Sequence, residues 1–122
     1  MAGFTQGYQQ TMLDTAFPTS AATDHIAYSS NGTSEAATFA RTAVGATGWA
    51  AATAATPSVK ANNAALTSAA ASGSATITHF AIYSASTAGT QKTDWTALSA
   101  SRAVVAGDTL QWAISALQVT LD

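Results

Sequence analysis

Ile77-Thr78-His79-Phe80-Ala81-Ile82-Tyr83 is the stretch from which the rest of the chain can be read. Apolar side chains stand at both odd and even positions, and the run is rich in β-branched and aromatic residues. That pattern predicts a strand covered on both faces, at the centre of a sheet. A turn-rich segment, residues 86–91, follows it. A strand is then expected around Trp95-Thr96-Ala97-Leu98, and residues 102–105 lead into an Ala106-Gly107-Asp108 turn.

Beyond that turn Leu110, Trp112 and Ile114 alternate with polar or small residues, and the apolar phase then moves by one to Leu117, Val119 and Leu121. A one-residue shift on a continuous strand would invert every side chain, so a bulge or tight corner is expected at Ser115-Ala116. Trp112 lies on the apolar phase and is expected in the core.

Upstream, Ile26 and Tyr28 alternate with His25, Ala27 and Ser29, and Asn31-Gly32 follows. This pair suits a tight hairpin because it tolerates positive φ, and residues 36–44 read as the next strand. Residues 45–76 are the hardest to read. Their Ala tracts favour helix by propensity, but recurrent Thr, Pro57 and three glycines make short strands joined by loops an equal expectation.

The first eighteen residues differ. Phe4, Tyr8, Met12, Leu13, Ala16 and Phe17 draw one apolar stripe at helical spacing, and Pro18 ends it. Gly7 weakens this helix by about 1 kcal/mol relative to Ala, so it is expected to dock through Phe4, Tyr8, Met12, Leu13 and Phe17, on its own fold or on a neighbour. The expected fold is mainly β: a single-domain antiparallel β-sandwich, jelly-roll-like, with a short N-terminal α-helix over 1–18 and the sandwich over 24–122.

Composition narrows the function. The chain has 122 residues, a net charge of -2 and only 8% charged residues, with no cysteine. About a quarter of it is Ala and a sixth Thr. A free monomer usually stays soluble through many mixed charges, so this composition favours long residence against other protein. No basic run is present to pair with phosphates, which argues against nucleic acid as a partner. Neither a secretory leader nor a membrane-spanning stretch is expected, because Thr, Ser and Asn interrupt every Ala run.

The opening Phe4 through Leu13-Asp14 to Phe17, the strand Ile26-Ala27-Tyr28-Ser29, the Phe39-Ala40-Arg41 segment, the Ile77 to Ile82 strand, and the ending Ala106-Gly107-Asp108-Thr109-Leu110 through Leu117-Gln118-Val119-Thr120-Leu121 together resemble a family of small structural proteins of tailed-phage virions. The resemblance covers nearly the whole chain. It departs in the Ala-rich middle and in lacking a Gly-rich lead-in before the Ala-Arg pair. It implies a β-rich fold and a place in the particle. Neither fibre repeats nor a long helical shaft is evident, and a compact domain suits capsid decoration. The expectation is therefore a decoration or cement protein on the major capsid protein, a homo-oligomer and by capsid symmetry a trimer. A tail or tail-fibre component is the alternative, and a glycan-binding sandwich a second.

The chemistry-bearing residues are few. His25 and His79 are the only histidines, no Gly-x-Ser-x-Gly elbow exists, and the carboxylates are scattered, so no catalytic residue, cofactor site or metal site is expected. Asp94 and Asp108 adjoin turns, where short acceptors cap backbone amides. Trp49, between Gly48 and Ala50, is expected to be exposed and is the candidate platform for stacking a sugar or docking a partner.

Overall fold

The computed structural model describes residues 3–55 and 57–121. The order of elements is α1 (Gln6–Ala16), β1 (His25–Ser29), β2 (Thr42–Ala43), β3 (Ser58–Ala61), β4 (Leu66–Thr67), β5 (Ala75–Tyr83), β6 (Thr96–Val104), β7 (Gln111–Trp112) and β8 (Gln118–Leu121). The fold is mainly β with antiparallel sheets and one short N-terminal helix, consistent with a β-sandwich. The chain divides into two compact units, each built from segments distant in sequence.

One unit comprises Thr23–Ala43 and Leu66–Gln111. Its four-stranded sheet runs β2-β1-β5-β6. β5 is interior, as its two-sided apolar pattern requires: its second half pairs with β1, from His25↔Tyr83 to Ser29↔His79, and its other side pairs with β6. Ile26, Ala27, Ile77, Ala81 and Ile82 are fully buried. Burial of the larger of these side chains contributes about 1.5 to 3 kcal/mol each. Tyr28 is buried against Phe39, their ring centroids 5.4 Å apart, and its hydroxyl is 2.7 Å from Thr42 Oγ1.

Three local expectations change here. Asn31-Gly32 does not close a two-residue hairpin, because the Asn31 carboxamide oxygen accepts the amides of Thr33 and Ser34 and folds residues 30–35 on themselves. Gly32 takes φ +74°, and a Cβ there would stand 3.0 Å from the His79 ring. The strand expected over 36–44 is reduced to Thr42–Ala43. Residues 96–104, in contrast, form one nine-residue strand rather than two pieces. It carries a large bulge, with residues 98–101 standing opposite Thr78 alone.

The other unit comprises Met1–Ala22, Val44–Ala65 and Trp112–Asp122. β3 pairs antiparallel with β8, Ser58↔Leu121 through Ala61↔Gln118. Its other edge takes backbone bonds from Ala50 and Thr53 and the Trp49↔Asn62 bridge. α1 packs on β3. The Thr5 hydroxyl caps the helix by accepting the Tyr8 amide, and the Phe17 amide closes its end on the Leu13 carbonyl. The Ala tracts of residues 50–52 and 69–71 are not helical: backbone bonds to β3 in the first, and to Asp108 in the second, override Ala propensity.

The corner expected at Ser115-Ala116 is present. Ser115 takes φ 65°, and the Ala116 amide bonds back to the Ala113 carbonyl. The turn restores burial to Leu117, at 0% exposure, and leaves Ile114 out at 63%. Trp112, expected in the core, is only half-buried.

Candidate functional site

The stripe read on the first helix splits between two faces. Leu13 and Phe17 are buried, and Phe17 meets Trp49 edge-on with ring centroids 5.3 Å apart. Phe4 and Tyr8 point the other way. They are 49% and 55% exposed, and their rings touch at a tilt of 47° with centroids 5.7 Å apart. Met12 lies between, half-buried. Helical geometry accounts for the split within the helix: at 100° per residue Tyr8 and Leu13 lie 140° apart, so one side of the helix cannot cover both, and Phe4, which precedes the Thr5 cap, lies against Tyr8.

Trp49 is a correction to the sequence reading. It is 1% exposed, so it offers no ring face to a sugar. Its neighbour explains the burial, since a Cβ on Gly48 would lie 1.9 Å from the Val44 carbonyl oxygen. The backbone doubles back tightly there and carries the indole inward.

Polar residues that the apolar pattern hides hold this unit together. Gln9, 1% exposed, donates to the Phe4 carbonyl and accepts the Ser58 amide. Asn62 is fully buried, and its amide group donates to the Ala64 and Ala113 carbonyls while its oxygen accepts the Leu117 amide. It ties the 113–117 corner to the end of β3. Lys60, also fully buried, places Nζ 2.6 Å from Asp14 Oδ1. Each polar group is satisfied, as burial demands. Hydropathy alone could not flag them, because Gln, Asn and Lys are ordinarily surface residues.

In the other unit Arg41, just ahead of β2, forms a second polar knot. Its guanidinium lies 3.9 Å from the centre of the Tyr83 ring, grips Glu35 through Nε and Nη2, and donates through Nη1 to the Ala85 and Ala88 carbonyls. The hydrogen bonds to Glu35 hold its pKa above the ordinary arginine value, against partial desolvation. An open recess of about 300 Å³ lies beside it, lined by Glu35, Phe39, Ala40, Arg41, Ser86, Thr87 and Ala88. With four of its five N–H donors bonded within the protein, Arg41 acts as a clamp on two loops.

His25 and His79 sit at opposite ends of the β1–β5 ladder, four registers and roughly 13 Å apart. His25 Nδ1 lies 2.7 Å from the Thr23 carbonyl oxygen, and His79 Nδ1 2.8 Å from Thr78 Oγ1. The two rings do not converge on a common ligand. Among the described residues no group of three or more His, Cys, Asp or Glu is placed to hold a metal ion, and no helix is long and apolar enough to cross a membrane.

Two surfaces stand out: an exposed aromatic pair at the start of α1, and a sheet edge at β6 whose side chains are almost all exposed. No curated protein matches the chain. A family model described as podophage GP4 fiber I protein gp80 matches residues 8–120, a span running from the first turn of α1 to the last strand. The chain therefore belongs to the podophage GP4 fiber I protein gp80 family of phage virion structural proteins.

Proposed function

We propose that this protein is a component of the phage fibre, held in the virion through protein–protein contacts and not through chemistry. The family match across residues 8–120 carries this reading, because the family is described as a fiber protein. The low charge of 8% supports a protein that spends its life against protein neighbours, and the structural description of the family supports a non-catalytic role. The capsid-decoration reading draws on the same composition, but the family description favours its alternative, the fibre.

Phe4 and Tyr8 are the side chains we assign to docking on a virion neighbour. Two aromatic rings in tilted contact and about half exposed, at the start of a helix whose other side is anchored by Leu13 and by Phe17 at its end, present an apolar surface at little entropic cost. Immunogold electron microscopy of intact virions tests the location. Label at the tail fibres is the expected result, and label spread over the head in many copies would replace this reading with decoration of the major capsid protein.

A further inference from the structure

Asn31-Gly32 is the one Asn-Gly pair in the chain; the other asparagines, Asn62 and Asn63, are followed by Asn63 and Ala64. Glycine has no side chain to shield its own nitrogen, so the carboxamide of an Asn-Gly pair is open to attack by the amide that follows it. In that reaction the Gly32 nitrogen gives its proton to a base in solution and bonds to Asn31 Cγ. Nδ2 leaves as ammonia, and a five-membered imide closes. Water then adds to one of the two imide carbonyls and leaves aspartate or isoaspartate at position 31.

The carboxamide itself is ready for attack. Asn31 is exposed, and its Oδ1 accepts the Thr33 amide at 2.9 Å and the Ser34 amide at 3.0 Å. These two donors would steady the negative charge that attack places on Oδ1. The restraint lies on the nucleophile. The Gly32 N–H points at Ser29 Oγ, 2.9 Å away, and the electron pair that must attack is the one that holds this proton. It therefore faces the serine and not Asn31 Cγ. Ser29 is fully buried in β1, and its hydroxyl also accepts the Asn31 amide and donates to Asn31 Oδ1. The His79 ring lies against Gly32, so close that a Cβ there would come within 3.0 Å, which limits how far the glycine can turn.

We propose that Asn31 is a deamidation site that the fold keeps closed, with the Ser29 hydroxyl as its latch. Cyclisation then waits for the 30–35 loop to open and release the Gly32 amide, so its rate follows the population of opened loop. A chain whose loop has opened is marked irreversibly, by a new carboxylate or by an extra methylene in the backbone. This inference does not depend on where in the virion the protein resides.

Incubation of the full chain at mildly alkaline pH reads the conversion, with peptide mass spectrometry and an isoaspartate-specific methyltransferase reporting on position 31. Conversion in the native protein is expected to be slower by roughly tenfold or more than in chain held unfolded in guanidinium chloride. In the unfolded chain Asn31 should outpace Asn62 and Asn63. Ser29→Ala, shown by circular dichroism to remain folded, should raise the native rate by roughly fivefold or more, because it frees the Gly32 amide and leaves the Thr33 and Ser34 amides on Oδ1. Since Ser29 is buried, amide hydrogen exchange of the unaltered protein gives a readout that needs no variant: the Gly32 N–H should be protected. Native conversion as fast as unfolded, a folded Ser29→Ala variant no faster than the unaltered protein, or an unprotected Gly32 amide would each overturn the proposal.

Discussion

Lys60 Nζ and Asp14 Oδ1 lie 2.6 Å apart, the lysine side chain fully enclosed and the aspartate 42% exposed. The same carboxylate oxygen accepts the Ala52 amide, so one atom in the last turn of α1 gathers β3 and the segment that flanks it. Because water reaches one member of the pair, the two are not equivalent. Removing Asp14 strands an ammonium that has no route to solvent. Asp14→Ala is therefore expected to destabilise the protein by roughly 2 to 4 kcal/mol, whereas Lys60→Met, which replaces the charge with an apolar chain of similar length, should cost far less or nothing. Urea unfolding of the two variants, compared by midpoint at constant slope, measures the difference.

The same carboxylate sets an acid response. Burial alone would raise its pKa, but the hydrogen bonds from Lys60 and from the Ala52 amide, with the lysine charge, outweigh burial and hold it below the ordinary value of 3.8. A carboxylate whose pKa is lower folded than unfolded adds stability that is complete above the unfolded value and is lost as pH falls through the folded one. Unfolding free energy should accordingly fall as the solution is acidified below about pH 4, and in Asp14→Asn this part of the decline should be absent. Denaturant titrations between neutral pH and pH 2 provide the comparison. An unchanged acid limb in the variant would mean that other carboxylates dominate.

The two faces of α1 should answer differently to truncation. Leu13→Ala opens a cavity against β3 and is expected to cost about 2 to 5 kcal/mol. Phe4→Ser with Tyr8→Ser removes exposed rings and should change stability by less than about 1 kcal/mol. The second variant is instead the one expected to lose incorporation into virions. Thermal melts of the purified proteins, beside immunoblots of purified particles, separate the two effects. Deletion of residues 1–18 removes both faces and should abolish both properties.

At Gly48 the constraint is space. A methyl group there would lie 1.9 Å from the Val44 carbonyl oxygen, so Gly48→Ala must shift backbone and carry Trp49 with it. A loss of about 2 kcal/mol or more is expected, with increased solvent exposure of Trp49 read as a red shift of tryptophan emission. Trp49→Ala should destabilise by about 3 to 5 kcal/mol. Since the indole faces inward, glycan arrays are expected to show no signal that depends on it.

The sequence by itself determined the elements whose pattern is local. β5 declared an interior strand by apolar residues in both phases, Phe4 to Phe17 declared a helix ended by Pro18, and the one-residue phase shift after Ile114 declared the corner at Ser115. In each case the signal is a periodicity within about ten residues, which the backbone must obey wherever it packs. Only the tertiary structure decided which half of the helical stripe is buried, because that depends on where β3 stands. It also decided that Trp49 turns inward, since the close approach of Gly48 to Val44 is a steric fact with no trace in hydropathy, and that Asn31 folds its loop on itself instead of closing a hairpin. Gln9, Lys60 and Asn62 were illegible for the same reason. A polar side chain can be buried only where partners converge on it, and the partners of these three come from residues as far as 49, 46 and 55 positions away.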